Sequence, residues 1–153
     1  MDAEQERNWV IACHLSSLAW IPLILLGIGA IPCVNVIAPA VIWCLKKDES
    51  KLIDAHGRES VNFQISMTIY GIAAGILLVI LSFIGVIFIL GIGVIENNPF
   101  TAFFAVMTGF GFLVAMLLLV AIAIFQIAVV ILAATKVKEG QMYRYPFNLR
   151  LLK

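Results

Sequence analysis

Cys13, His14, Cys44 and His56 are the side chains in this sequence best suited to hold a metal. Thiolate and imidazole are the donors that zinc, copper and haem iron prefer. With helices one and two paired and His56 in the following loop, these residues could meet at the inner face of the membrane. Their spacing matches no metal signature, so neither a metal nor a cofactor is expected. His14 is better read as an intramembrane imidazole bonded to a neighbour. The three cysteines are odd in number and scattered, and they read as apolar filler rather than as disulfide partners. Glu59 follows His56 by three residues and stands beside Arg58. Together with Asp54 these form an interfacial network, in which Asp54 is expected to cap the helix and Glu59 to sit between Arg58 and a neighbour. As an acid–base pair the network lacks a nucleophile or any supporting motif, so no enzyme is expected.

A second set of polar groups lies in otherwise apolar sequence: His14, Ser17, Asn62, Gln64, Ser66, Tyr70 and Gln126. Gln126 stands about 13 Å above the last charged residues at 1.5 Å per helical residue, close to the level of Ser17 and Tyr70. All seven therefore fall in one half of a bilayer. Such a cluster serves either as hydrogen-bonded adhesion between helices or as a vestibule open to the cytoplasm. The opposite half offers only isolated Ser82, Thr101 and Thr108.

The elements that must position these groups follow from charge. All ten Lys and Arg residues lie in 1–7, 46–59 or 136–153. Basic residues collect on the cytoplasmic side of membranes, so these three segments should share that side. The chain is 63% hydrophobic and 12% charged, against roughly 25% charged in soluble domains. A net charge of +1 implies no nucleic-acid partner. The opening Met1-Asp2-Ala3-Glu4-Gln5-Glu6 is acidic, so the first span is expected to remain as an uncleaved anchor.

Asn8–Leu45 as one helix would measure about 57 Å against a hydrocarbon core of about 30 Å, so it must turn back. Gly27, Gly29, Pro32 and Asn35 supply the turn. The reading is an all-α membrane protein with four transmembrane helices near 8–27, 34–46, 57–92 and 100–136, the first two forming a short hairpin. Both termini and the 46–59 loop are placed in the cytoplasm, with 27–35 and 96–99 outside. A re-entrant second limb, or six crossings, would be the alternatives. Val61–Tyr70 alternates apolar and polar like a strand, yet an open strand in lipid leaves its backbone unpaired, so a helix is expected. The tail 137–153 reads as a membrane-surface segment, with Tyr143, Arg144, Tyr145, Arg150 and Lys153 directed at lipid and anionic head groups.

Several motifs are familiar together: Cys13-His14-Leu15-Ser16, the stretch from Pro39 through Trp43 to Asp48, His56-Gly57-Arg58-Glu59-x-x-Asn62-Phe63-Gln64, and Glu139-Gly140-x-x-Tyr143-Arg144-Tyr145-Pro146. They resemble a prokaryotic four-helix membrane family of unknown function, described as similar to the membrane-embedded subunit of the chloroplast inner-envelope protein-import translocon. That resemblance implies four transmembrane helices, and the plant relative is assigned a channel or scaffold role in protein import. The expected function is a non-enzymatic membrane subunit, a scaffold, accessory or assembly factor. The alternative is a channel or transporter component. The expected partners are other membrane proteins or further copies of the chain, with anionic lipids. The expected location is the cytoplasmic membrane of a prokaryote, or a thylakoid or other photosynthetic membrane.

Overall fold

A computed structural model describes residues 1–27, 33–92 and 99–152 of the chain. Every regular element among them is helical. Helix α1, Ala3–Leu15, starts on Asp2, whose carboxylate accepts the Gln5 amide at 2.7 Å. Glu4 and Glu6 in its first turn complement the helix dipole. A 3-10 turn follows over Ser16–Leu18, then the short α2, Trp20–Leu25. The break has two local causes. Ser16 and Ser17 hydroxyls bind the carbonyls of Cys13 and His14 at 3.1 and 2.7 Å, and Pro22 has no N–H to continue the ladder. The expected continuous helix over 8–27 is therefore extended at its start and interrupted after Leu15.

Helix α3, Val34–Lys46, carries Pro39 inside it and ends in a turn where Lys46 Nζ meets Glu49 Oε1 at 2.8 Å. Helix α4, Lys51–Ile92, is capped by Ser50, whose hydroxyl accepts the Leu52 and Ile53 amides at 3.0 and 3.4 Å. Asp54 is thus not the cap expected of it, because the helix begins a full turn earlier. The strand-like alternation over Val61–Tyr70 lies wholly within this helix. Helix α5, Pro99–Lys138, closes in a Schellman turn. Gly140 adopts φ +73°, its N–H reaches Val137 O at 2.9 Å, and the Gln141 N–H reaches Lys136 O at 2.9 Å.

Two helical stretches, Lys51–Ile87 and Ala102–Lys138, are long and apolar enough to cross a membrane. Only 11% and 22% of their most apolar windows are buried inside the protein, which sets them apart from core helices of a soluble domain. Val34–Lys46 is a shorter apolar helix. The expected outer connections fall largely on 28–32 and 93–98, outside the described residues, as does Lys153.

The chain divides into two compact units. One comprises 1–68 with 125–153. Its core includes Val10, Ile53 and Val137, joined by Ile11. The other is 69–124. There Gly85 lies directly against the Thr108 side chain, and Leu81 reaches within 3.7 Å of where a Cβ on Gly111 would stand.

Candidate functional site

The site lies in the first unit, where α1, α4 and the segment after α5 converge on two imidazoles. His14 Nε2 and His56 Nδ1 face each other at 3.1 Å, with the rings nearly perpendicular at 83°. His14 is wholly buried and His56 is 2% exposed. The other nitrogen of His14, Nδ1, is 2.9 Å from the Tyr145 hydroxyl. Tyr145 also stacks on Phe63, with centroids 4.1 Å apart and planes 10° from parallel. Its backbone N–H donates to Glu59 Oε1 at 2.9 Å. The Ser60 hydroxyl ties α4 to α1 by donating to Cys13 O at 3.1 Å.

From there the tail runs along α4 and its backbone is held by side chains. Leu149 N–H donates to Ser66 Oγ at 2.9 Å. Asn62 grips Leu152 at both backbone groups, accepting its N–H at 2.7 Å and donating to its carbonyl at 2.9 Å. Asn148 donates to Glu59 O at 3.4 Å. Asn62 thus has the protein partner that an amide in an apolar setting requires. Tyr145, at 3% exposed, is buried rather than turned to lipid as expected, because its hydroxyl and ring both find partners inside. Arg144 and Arg150 are exposed, and Tyr143 is half-buried.

Burial pushes the Tyr145 phenol up, and the neighbouring Tyr143 and Glu59 add to it, with a smaller opposing contribution from Ser60. Burial likewise raises Tyr143.

A separate amide centre sits further along α4. Gln126 Nε2 donates to Gln64 Oε1 at 2.6 Å, and Asn35 donates to the same oxygen at 3.3 Å and to Thr68 Oγ1 at 3.1 Å. The Gln64 amide nitrogen is the buried side-chain polar atom left without a partner among the described residues. The polar cluster read as one group is therefore two: His14 with His56 and Tyr145, and Gln64 with Gln126. Asn62 and Ser66 serve the tail, Ser17 bonds locally to His14 O, and Tyr70 belongs to the second unit.

The interfacial network is rearranged as well. Arg58 pairs with Asp54, not with Glu59, and Asp54 also accepts Trp43 Nε1 at 3.0 Å. Glu59 is free of Arg58 because its carboxylate is taken up by the tail. Of the four thiol and imidazole candidates, the two histidines meet, Cys13 is buried, and Cys44 is exposed. No group of three or more His, Cys, Asp or Glu side chains is gathered for a metal among the described residues. A cavity of about 400 Å³ borders His56, lined also by Glu6, Arg7, Lys138, Glu139 and Gln141.

Sequence reasoning missed Asn35, Trp43 and Asn148. The signal was present for two of them, since an amide in an apolar limb and one in a basic tail each demand a partner.

A profile of the magnetosome magnetite crystal formation protein family, MamF/MmsF, matches residues 5–152. The chain belongs to that family. It is a prokaryotic membrane protein, and the match takes in both long apolar helices and the tail. The expected likeness to the chloroplast import translocon finds no support in this assignment. No curated protein and no solved structure matches the chain.

Proposed function

We propose that this chain acts in magnetite crystal formation as a non-enzymatic subunit of the magnetosome membrane, organising other membrane proteins through its helices. The observation that supports this most is where its polar groups go. In the first unit the imidazoles, amides and carboxylates bind one another or the tail, and the helices of the second unit present Ile76, Val79, Phe83, Val106, Phe110 and Leu117 outward. Three of the nine acids are ion-paired among the described residues. Glu49 pairs with Lys46, Asp54 with Arg58 and Glu139 with Lys136, and Glu6 is bonded to Ser50. The outward apolar faces support a chain that works by contact in the bilayer. Exposed Arg144 and Arg150 suit anionic head groups.

Four crossings with both termini inside remain the topology we favour, α1–α2 and α3 forming the first two. The rival reading is a conducting component built on Gln64 and Gln126. Its weakness is that those amides are already bonded to each other.

Extraction from the native membrane in a gentle detergent tests the proposal. The protein should migrate in an assembly larger than its monomer or self-oligomer. Migration only as monomer or self-oligomer at every detergent strength would overturn it. Solute flux through liposomes of the purified protein, abolished by Gln126→Leu, would establish the rival instead.

A further inference from the structure

The tail is fastened by one deep anchor, a few bonds to its backbone, the Asn148 amide on Glu59 O and the Phe147 ring against Phe125. Tyr145 is its buried side chain, while Phe147 is 72%, Leu149 46% and Leu151 56% exposed. Two of its residues, Phe147 and Arg150, hold φ of +57° and +45°, a region that L side chains rarely adopt. The bound path is therefore strained at two points, and the anchor has to hold against that strain.

The anchor depends on the histidine pair. A hydrogen bond between His14 Nε2 and His56 Nδ1 needs one N–H and one lone pair. With Tyr145 donating to His14 Nδ1, His14 donates through Nε2 to His56 Nδ1. A proton arriving on either acceptor nitrogen sets N–H against N–H or reverses the tyrosine bond. Glu59, one turn beyond His56 and coupled to it electrostatically, then finds an imidazolium competing with the Tyr145 N–H for its carboxylate. The cavity bordering His56 gives protons a route to the pair.

We propose that the tail is a strap released by proton uptake at the His14–His56 pair, whose opening uncovers the Glu59–Asn62–Ser66 stripe of α4. This goes beyond the scaffold reading and does not depend on it.

Other charged and titratable groups surround the pair. They are Glu6, Arg7 and Cys13 from α1, Asp54, Arg58 and Glu59 from α4, Lys138 with the following Glu139 from α5, and Tyr143 and Tyr145 from the tail. Burial holds the His56 ring below the ordinary imidazole range, so its proton is taken up as the tail opens. Imidazole is the side chain whose ordinary titration falls between roughly pH 5 and 8.

Hydrogen–deuterium exchange on the full chain in lipid nanodiscs tests the strap, with rates corrected for intrinsic exchange. Peptides from 141–152 should lose about tenfold protection between about pH 7.5 and about pH 5.5, the shift that one unit of differential proton affinity produces. Peptides from 110–124 should not change, which separates release from unfolding. His56→Gln, which bonds but does not titrate, should weaken the pH dependence of tail protection, since His14 alone is left to take up a proton. Tyr145→Phe keeps the stack on Phe63 but should lower protection at the higher pH and flatten its pH dependence. Equal protection of the native tail at both pH values overturns the proposal, as does an undiminished pH dependence in His56→Gln. Where His56→Gln fails to accumulate, an undiminished pH dependence in Tyr145→Phe overturns it just as well.

Discussion

Tyr145 shows how much of this protein's chemistry rests on one side chain. Its phenol is raised by burial first, then by Tyr143 and Glu59, so the neutral form is favoured in the folded state. The unfolded chain gives up this proton near pH 10. Stability from the neutral phenol is thus fully present below about pH 10 and is lost above it, where the unfolded state binds fewer protons. In an ultraviolet absorbance titration, Tyr145 should ionise only as the tail detaches, and Tyr145→Phe should remove that late component. Ionisation of all three tyrosines in one ordinary step, with the tail still attached, would contradict the burial argument. That His14 could meet His56 was readable, since helix one and the loop after helix two were both placed at the inner face of the membrane. The role of Tyr145 was not. A tyrosine in a basic tail looks alike whether it meets lipid or folds back, and only packing over 131 residues of chain to His14 decides.

At the scale of elements, the join of α3 to α4 turns on Gly57. A Cβ there would collide with the Trp43 ring. That ring cannot retreat freely, because its Nε1 is tied to Asp54 at 3.0 Å. Gly57→Ala should cost about 1–3 kcal/mol by overpacking, read as a lowered midpoint of denaturant unfolding in detergent. Gly75→Ala, where a Cβ meets open space within the same helix, should instead be neutral or stabilise by up to about 1 kcal/mol. An equal effect at the two sites would show that helix propensity, not contact with Trp43, governs both. The helical state of 61–70 was predictable because lipid forbids the strand that its alternation suggests. The start of α4 was not, since Asp54 and Ser50 are both good caps and the choice falls to Asp54 being claimed by Trp43 and Arg58. The break after Leu15 was half-visible in Pro22, but the serine hydroxyls that complete it act only once a helix exists.

For the molecule as a whole, the number of passages through the bilayer sets which segments share a side. Charge placement asks for an even number with Lys51 inside, and the absence of turn signals within the long apolar stretches favours four over six. A cysteine at Lys51, in a chain whose exposed Cys33 and Cys44 are serine, should resist an impermeant thiol reagent in intact cells and react after permeabilisation. Labelling from outside would overturn the topology. The two long helices were plain from composition, because spans free of Lys and Arg admit few alternatives. The pairing of tail to α4 was hidden, because the bonds run from side chains to backbone groups, and backbone groups leave no trace in residue type.

That pairing sets an order of events during synthesis. Glu59 is made 86 residues before the Tyr145 amide that it accepts, and Asn62 precedes its Leu152 partner by 90. At 5–20 residues per second the ribosome needs roughly 4–18 s to cover that distance. For that interval a carboxylate, an amide and a hydroxyl on α4 wait at the membrane without their final partners. Water, the insertion machinery or a chaperone must occupy them until the last segment emerges. The nascent chain thus carries on α4 a polar surface that the finished protein no longer shows, and a chain stalled before Tyr145 keeps it on display for quality-control proteases.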